Sequence, residues 1–292
     1  MISSHPSSEW YRSLPAAERY ARLAQGGDFP LYRVFARQNI DYASPPRTGL
    51  LVDGFAGTGL VTQLLREGGW QNEIVLIDKS SEMLDKAKEF LGESRMRFIA
   101  TDMLEISAVV QDASSVIASQ GAHRIEDDRG GLPALLESVY RAMEPGGAFV
   151  FNLDSTSIRV DGVTPLYDIE PYRIFFGEIL QDVVRSSGGT NGFVEELTHQ
   201  FSRFTIDTVL RFIEESPFRE GSYLVMQTEL SREVLEMVHF RLGAPQMLAL
   251  SDTLIDVAIE RMRSHHAYQQ SWRGRSAVPW HSVVFRAVRP RS

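Results

Sequence analysis

The stretch LLVDGFAGTGLVT, residues 50–62, decides how this chain folds. A short apolar run, LLVDG, gives way to small residues and then to TGLVTQLLREGG, whose apolar positions recur at helical spacing. The order is strand, glycine turn, helix. Such a turn offers bare backbone N–H groups at a helix N-terminus and room for a ligand to approach closely.

The alternation continues outward from there. EIVLID (73–78) is again apolar, and SSEMLDKAKEFLG (80–92) is an amphipathic helix with a serine start and a glycine stop. RMRFIATD (95–102) and SSVIAS (114–119) read as strands, LPALLESVYRAM (132–143) as a helix, EPGG as a turn and AFVFNLD (148–154) as a fifth strand. Strand alternating with helix at this spacing predicts an α/β fold, a doubly wound and mostly parallel sheet with right-handed crossovers.

Upstream, AAERYARLAQ opens after Pro15 and closes at Gly26-Gly27. LYRVFARQNIDY (31–42) is a second helix, with Leu31, Val34, Phe35 and, at the margin, Gln38 on one face. Downstream of Asp154, helices are expected over 171–189, 193–201, 231–243 and 245–264, with strands at SYLVMQTEL (222–230) and HSVVFRAV (281–288). The resulting division has four parts. Residues 1–45 form N-terminal helices closing over the ligand, 46–155 the ligand-binding core, 156–275 a mostly helical insertion for substrate recognition, and 276–292 a final strand completing the core sheet. An insertion placed there would cover the carboxyl ends of the parallel strands.

Composition narrows the chemistry. The chain of 292 residues holds no cysteine, which removes disulfides, zinc–thiolate sites, iron–sulfur clusters and a cysteine nucleophile. A net charge of −8 argues against nucleic acid as a partner. No signal peptide and no long apolar window is read, so a cytoplasmic location without a membrane is expected. After Glu260 the chain has no acid but seven arginines, Arg261, Arg263, Arg273, Arg275, Arg286, Arg289 and Arg291. These read either as a solvated basic tail or as a surface for an anionic substrate or self-association, and a homodimer is one expectation.

Spacing separates two ligands for the glycine turn. A dinucleotide turn wants G-x-G-x-x-G, whereas Gly54, Gly57 and Gly59 give G-x-x-G-x-G. Asp53 precedes them, Asp78 ends the second strand and Asp102 follows the third. An acid beside a pyrophosphate is unfavourable by charge repulsion. Three acids at three successive strand ends suit a sulfonium nucleoside that carries an amino group.

These motifs resemble the class I S-adenosylmethionine-dependent methyltransferases over about residues 49–154. VDGFAGTG is similar to their glycine-rich first motif, IDKSSEMLDKAKEF to the second-strand acid and its helix, and ATDMLEI to the adenine-contacting acid. SVIASQGAHRI and MEPGGAFVF stand where the fourth strand opens on the methyl site and where the fifth strand begins. Phe55 departs from the pattern, since many members carry glycine there. The segment SQGAHRI lacks the Pro-Pro-aromatic grip of base-amine methyltransferases, which with the missing cysteine points to a small-molecule acceptor, either a specialised metabolite or an amino-acid-like compound.

The resemblance implies S-adenosylmethionine as cofactor, held by Asp53, Gly54, Phe55, Ala56, Gly57 and Gly59, by Asp78, Lys79 and Met83, and by Asp102, Met103 and Gln120. Asp53 would face the amino group, Asp78 the ribose and Asp102 the adenine amine. His123 stands where the acceptor approaches. Within TPLYDIEPYRIFF, Tyr167 and Tyr172 would cage a cation, Glu170 act as a base and Arg173 bind a carboxylate, with Asn152 a further substrate contact. No metal is implied. Internal cyclisation or aminocarboxypropyl transfer from the same sulfonium, and a non-catalytic binding module, are the alternatives.

Overall fold

The computed structural model describes residues 17–18, 21, 30–125, 129–164, 168–188, 204–236 and 252–291. Of the expected elements, the helix over 193–201 lies outside them. Two compact units emerge. One holds the described residues up to 153, together with 207–226 and 282–291; the other holds those of 154–206 and 227–281.

The first unit opens on α1 (Pro30–Ala43). Then follow β1 (Leu50–Gly54), α2 (Leu60–Glu67), β2 (Ile74–Asp78), α3 (Ser81–Leu91), β3 (Met96–Ala100), the short α4 (Ile106–Val109), β4 (Ala113–Ala118), α5 (Gly131–Ala142) and β5 (Met143–Asp154). Ile74, Val75, Leu76 and Ile77 are all fully buried, as a parallel strand covered by helices on both faces requires. Each such side chain contributes about 1.5–3 kcal/mol through burial. Ser80 caps α3 by accepting the Met83 N–H at 3.1 Å, and Gly92 closes it with φ 71°.

The buried face of α1 differs from the one read in the sequence. Leu31, Phe35, Ala36, Asn39, Ile40 and Ala43 are buried, whereas Val34 is 40 % exposed. The stripe therefore advances by four residues from Leu31 through Phe35 to Asn39, and a polar side chain lies in its middle.

Seven strands form one sheet in the order β3-β2-β1-β4-β5-β9-β8, where β8 is Gly221–Ser231 and β9 is Ala277–Val288. The pairs β1/β2, β1/β4, β2/β3 and β4/β5 are parallel. Backbone bonds from Gly146 N to Arg289 O and from Arg289 N to Gly147 O make β5 and β9 antiparallel. The order reverses between β1 and β4, the switch point at whose carboxyl ends ligands bind in open α/β sheets. Gly221–Ser231, read as a strand inside the insertion, is thus the sheet's outer strand. Of the C-terminal arginines, Arg289 is structural. Its guanidinium lies 4.7 Å over the Tyr140 ring and donates to the Tyr140 and Met143 carbonyls.

In the second unit, β6 (Ile158–Arg159) pairs with β7 (Phe204–Thr205). Helices α6 (Glu170–Ile174) and α7 (Leu180–Ser186) flank a π-helical turn, Phe175–Ile179, and α8 (Asp252–Ser264) and α9 (His266–Ser271) follow later in the chain. No helix among the described residues is long and apolar enough to cross a membrane.

Candidate cofactor site

The strands align their carboxyl ends at the switch point. Gly54 of β1 stands beside Ile77 of β2 and Ala118 of β4, and Asp78 beside Ala100 of β3. After Gly54 the backbone turns left-handed at alternate residues: φ is 54° at Phe55, 52° at Gly57 and 83° at Gly59. Glycine is needed at Gly59 twice over, for its φ and because an added Cβ would lie 2.6 Å from Leu91. At Gly57 a Cβ would meet nothing within 4 Å, so the turn is open on that side.

Phe55 occupies a conformation that costs a bulky residue free energy. The structure shows what accommodates it. A Cβ on Gly121 would sit 2.2 Å from Phe55 Cγ, so the ring fits only because residue 121 is glycine. The turns after β1 and β4 are in this way interlocked.

Two of the acids tie the turn together. Asp78 accepts Gly57 N–H at 2.8 Å on one oxygen and Ser80 N–H at 2.9 Å on the other. Asp53 is buried, and its Oδ2 accepts both Thr62 N–H at 3.0 Å and Thr62 Oγ1–H at 2.8 Å. Burial pushes its pKa up to about 7 against the pull of the Thr62 hydrogen bonds, with the Asp78 charge adding to the rise.

Asp102 caps the turn after β3, accepting Leu104 N–H at 3.0 Å, while Lys79 Nζ at 2.7 Å and Arg129 Nη1 at 2.5 Å meet its other oxygen. Burial alone would raise its pKa; the Leu104 N–H and the two cations outweigh that and hold it below the usual carboxylate range. Met103 is buried with its thioether under Gly54, where a Cβ would fall 2.7 Å from its methyl carbon. Met83 is buried in the first turn of α3. Ala56 donates to Ile77 O at 2.9 Å, joining the turn to β2.

After β4, Gln120 is left-handed with φ 60°, and its N–H donates to Asn152 Oδ1 at 2.9 Å. Gln120 Nε2 is buried without a hydrogen-bond partner. His123 is half-buried in the short turn Ala122–Arg124 that follows. Asn152, expected at the substrate, is wholly buried and bonds to Asn39, Gln120 and Ser282.

The expected residues of the other unit are placed as follows. Tyr167 lies outside the described residues. Glu170 and Arg173 are exposed on α6. Tyr172 is buried, its ring 4.6 Å from that of Phe176, and burial together with the Asp154 charge raises its phenol well above the ordinary value. In the same unit the sequence reading passed over Asp154, whose Oδ1 takes the Thr156 N–H and hydroxyl at 3.0 and 2.5 Å. It also passed over His281, buried with Nδ1 3.0 Å from Ser155 Oγ and its pKa lowered by burial.

Residues 52–147 match the family model described as a methyltransferase domain. Over that third of the chain the sequence is similar to a methyltransferase domain. No curated protein matches the sequence. Among solved structures, the chain is similar to phosphoethanolamine N-methyltransferase 2 of Haemonchus contortus, crystallised with phosphomonomethylethanolamine and S-adenosylhomocysteine. The TM-score is 0.52 at 13 % identity, over 96 % of this chain and 60 % of that one. The YcgJ protein from Bacillus subtilis gives 0.53 at 10 %, covering 88 % and 98 % of the two chains. The 4+2 cyclase SpnF gives 0.53 at 12 %, covering 89 % and 81 %. At these identities the likeness is one of fold. The matched span of the methyltransferase domain holds Asp53, the glycine turn, Asp78, Asp102 and Gln120.

Proposed function

We propose that the protein binds S-adenosylmethionine and transfers a methyl group from it to a small-molecule acceptor. The observation that carries this reading is the group of turns at the carboxyl ends of β1, β2 and β4. It has an open edge at Gly57, a carboxylate at Asp78 and a buried amide donor at Gln120 with no partner. Bound there, the cofactor supplies an electrophilic methyl group on a sulfonium.

The chain's residues divide the work of holding and orienting. Asp78, held at the end of β2 by the Gly57 and Ser80 N–H groups, accepts ribose hydroxyls, and Gly57 and Gly59 leave room for the chain of the ligand. Asp102 receives an adenine amine in competition with Lys79 and Arg129. Met83, Met103, Phe55 and Ala56 supply apolar cover. Asp53, inward-facing and titrating near neutrality, stabilises a nearby ammonium when it is ionised.

Methyl transfer is a displacement at carbon, so alignment and exclusion of water do most of the work. A base is required only where the acceptor must lose a proton. His123 fills that role within the first unit, and Glu170 is the carboxylate for it on α6. Tyr172 keeps its proton at neutral pH, which suits a donor or a ring contact and not a base. Arg173 offers an exposed guanidinium to an acidic acceptor. A soluble cytoplasmic enzyme acting without nucleic acid, alone or as a homodimer, belongs to the same reading.

Likeness in fold to a cyclase keeps a second reading in view, in which the site orders a substrate for ring closure. Incubation with S-adenosylmethionine and an acceptor library, read by mass spectrometry, tests the proposal. A gain of one methyl group with formation of S-adenosylhomocysteine supports it. A product of unchanged mass favours cyclisation.

A further inference from the structure

The two edges of the sheet are guarded unequally. At one edge β3 carries Arg97, paired with Glu73 at 2.6 Å, and Lys88 Nζ stands 5.5 Å over the Phe98 ring. Charges so placed keep an edge strand from pairing with another chain. At the other edge β8, GSYLVMQTELS, runs for 11 residues with no lysine, no proline and a single charge, Glu229. Tyr223, Leu224 and Val225 follow one another on it and are 45 %, 46 % and 37 % exposed. Among the described residues no other run of three large apolar side chains is exposed in this way. Both faces of the strand meet solvent there, and among the described residues no strand pairs with its outer edge.

The strand is also complementary to itself. A two-fold axis normal to the sheet sets an antiparallel copy against β8 and brings together residues of the same face. With Leu224 on that axis, Leu224 faces its own copy and Tyr223 faces Val225, an aromatic against a β-branched side chain. Arg219, at the turn that enters β8, and Glu229 stand equally far to either side, so each arginine faces a glutamate, twice over by symmetry. Moving the axis to Tyr223 or Val225 sets Arg219 against Gln227 or Ser231 and loses that pairing. Both Arg219 and Glu229 are exposed, and among the described residues neither has an ion-pair partner in its own chain.

We propose that β8 is the interface through which two copies of this chain pair edge to edge, with Leu224 on the two-fold axis and their sheets joined into one. The inference goes beyond the cofactor reading and does not depend on it.

Sedimentation equilibrium of the full chain over roughly 1–100 μM tests it. The native protein is expected to form a dimer and to go no further, since a two-fold pairing closes on itself. Leu224→Lys sets like charges against each other on the axis and should leave only monomer. Arg219→Glu and Glu229→Arg should each weaken association on the order of tenfold, and Arg219→Glu/Glu229→Arg should return it to within about threefold of the native value. Thermal melting checks that each variant folds, and the two charge exchanges carry the test if Leu224→Lys does not fold.

A native chain that stays monomeric, or that grows into species larger than a dimer, would overturn the inference. So would a dimer that Leu224→Lys leaves intact, or a double exchange that associates no more tightly than its single parents.

Discussion

Phe55 shows how one residue can depart from a motif while the site stays intact. A left-handed φ of 54° is the conformation a glycine would take there, and the ring is accommodated because Gly121 has no side chain. Gly121→Ala should therefore cost about 1–3 kcal/mol by overpacking. Phe55→Gly in the same chain should restore most of that stability in a thermal melt. A double variant as unstable as Gly121→Ala would refute the interlock. The departure at residue 55 was visible in the sequence, but the compensation at residue 121 was not, because it depends on two loops meeting across the sheet.

Asp53 carries a pH signature at the same scale. Its folded pKa of about 7 lies above the ordinary 3.8, so between roughly pH 4 and 7 the folded state holds a proton that the unfolded chain has released. Stability from this group is full below about pH 4 and is lost as pH rises through about 7. Asp53→Asn keeps an oxygen for Thr62 and removes the titration. Its melting temperature should vary less with pH across that window than that of the native protein, and an identical slope would contradict the assignment.

At the scale of elements, the βα units were legible because their signals are local. EIVLID and AFVFNLD are apolar runs, SSEMLDKAKEFLG has both its caps, and the structure places β2, β5 and α3 on them. Leu76 in β2 is fully buried, and Leu76→Ala should cost about 2–5 kcal/mol in denaturant unfolding. A cost under about 1 kcal/mol would mean that the strand is not the core it is taken for. The face of α1 was read one position astray. Val34 satisfied the spacing rule while Asn39, a polar residue, held the buried place. The polar intruder in an apolar stripe was the signal that could have found it. The acids at the strand ends were also legible, but their partners were not. That Asp53 faces Thr62, and that Asp102 shares its oxygen with Lys79 and Arg129, are tertiary facts.

For the whole molecule, alternation of strand and helix was enough to give the parallel half of the sheet, while the strand order that creates its switch point came only from the structure. The far edge was harder. SYLVMQTEL was read as a strand, but nothing local says that it lies outside β9 and not within a separate insertion. The acidic net charge sets a further expectation, that single-stranded nucleic acid neither binds nor competes with the cofactor at physiological salt. A mobility shift with short oligonucleotides checks it.

The measurement to make before any other is calorimetric titration of the full chain with S-adenosylmethionine and, separately, with NADH. One-to-one binding of the first with a dissociation constant on the order of micromolar, and none of the second, is the expected result. Binding of NADH with no response to S-adenosylmethionine would contradict the assignment of the turn at residues 54–59.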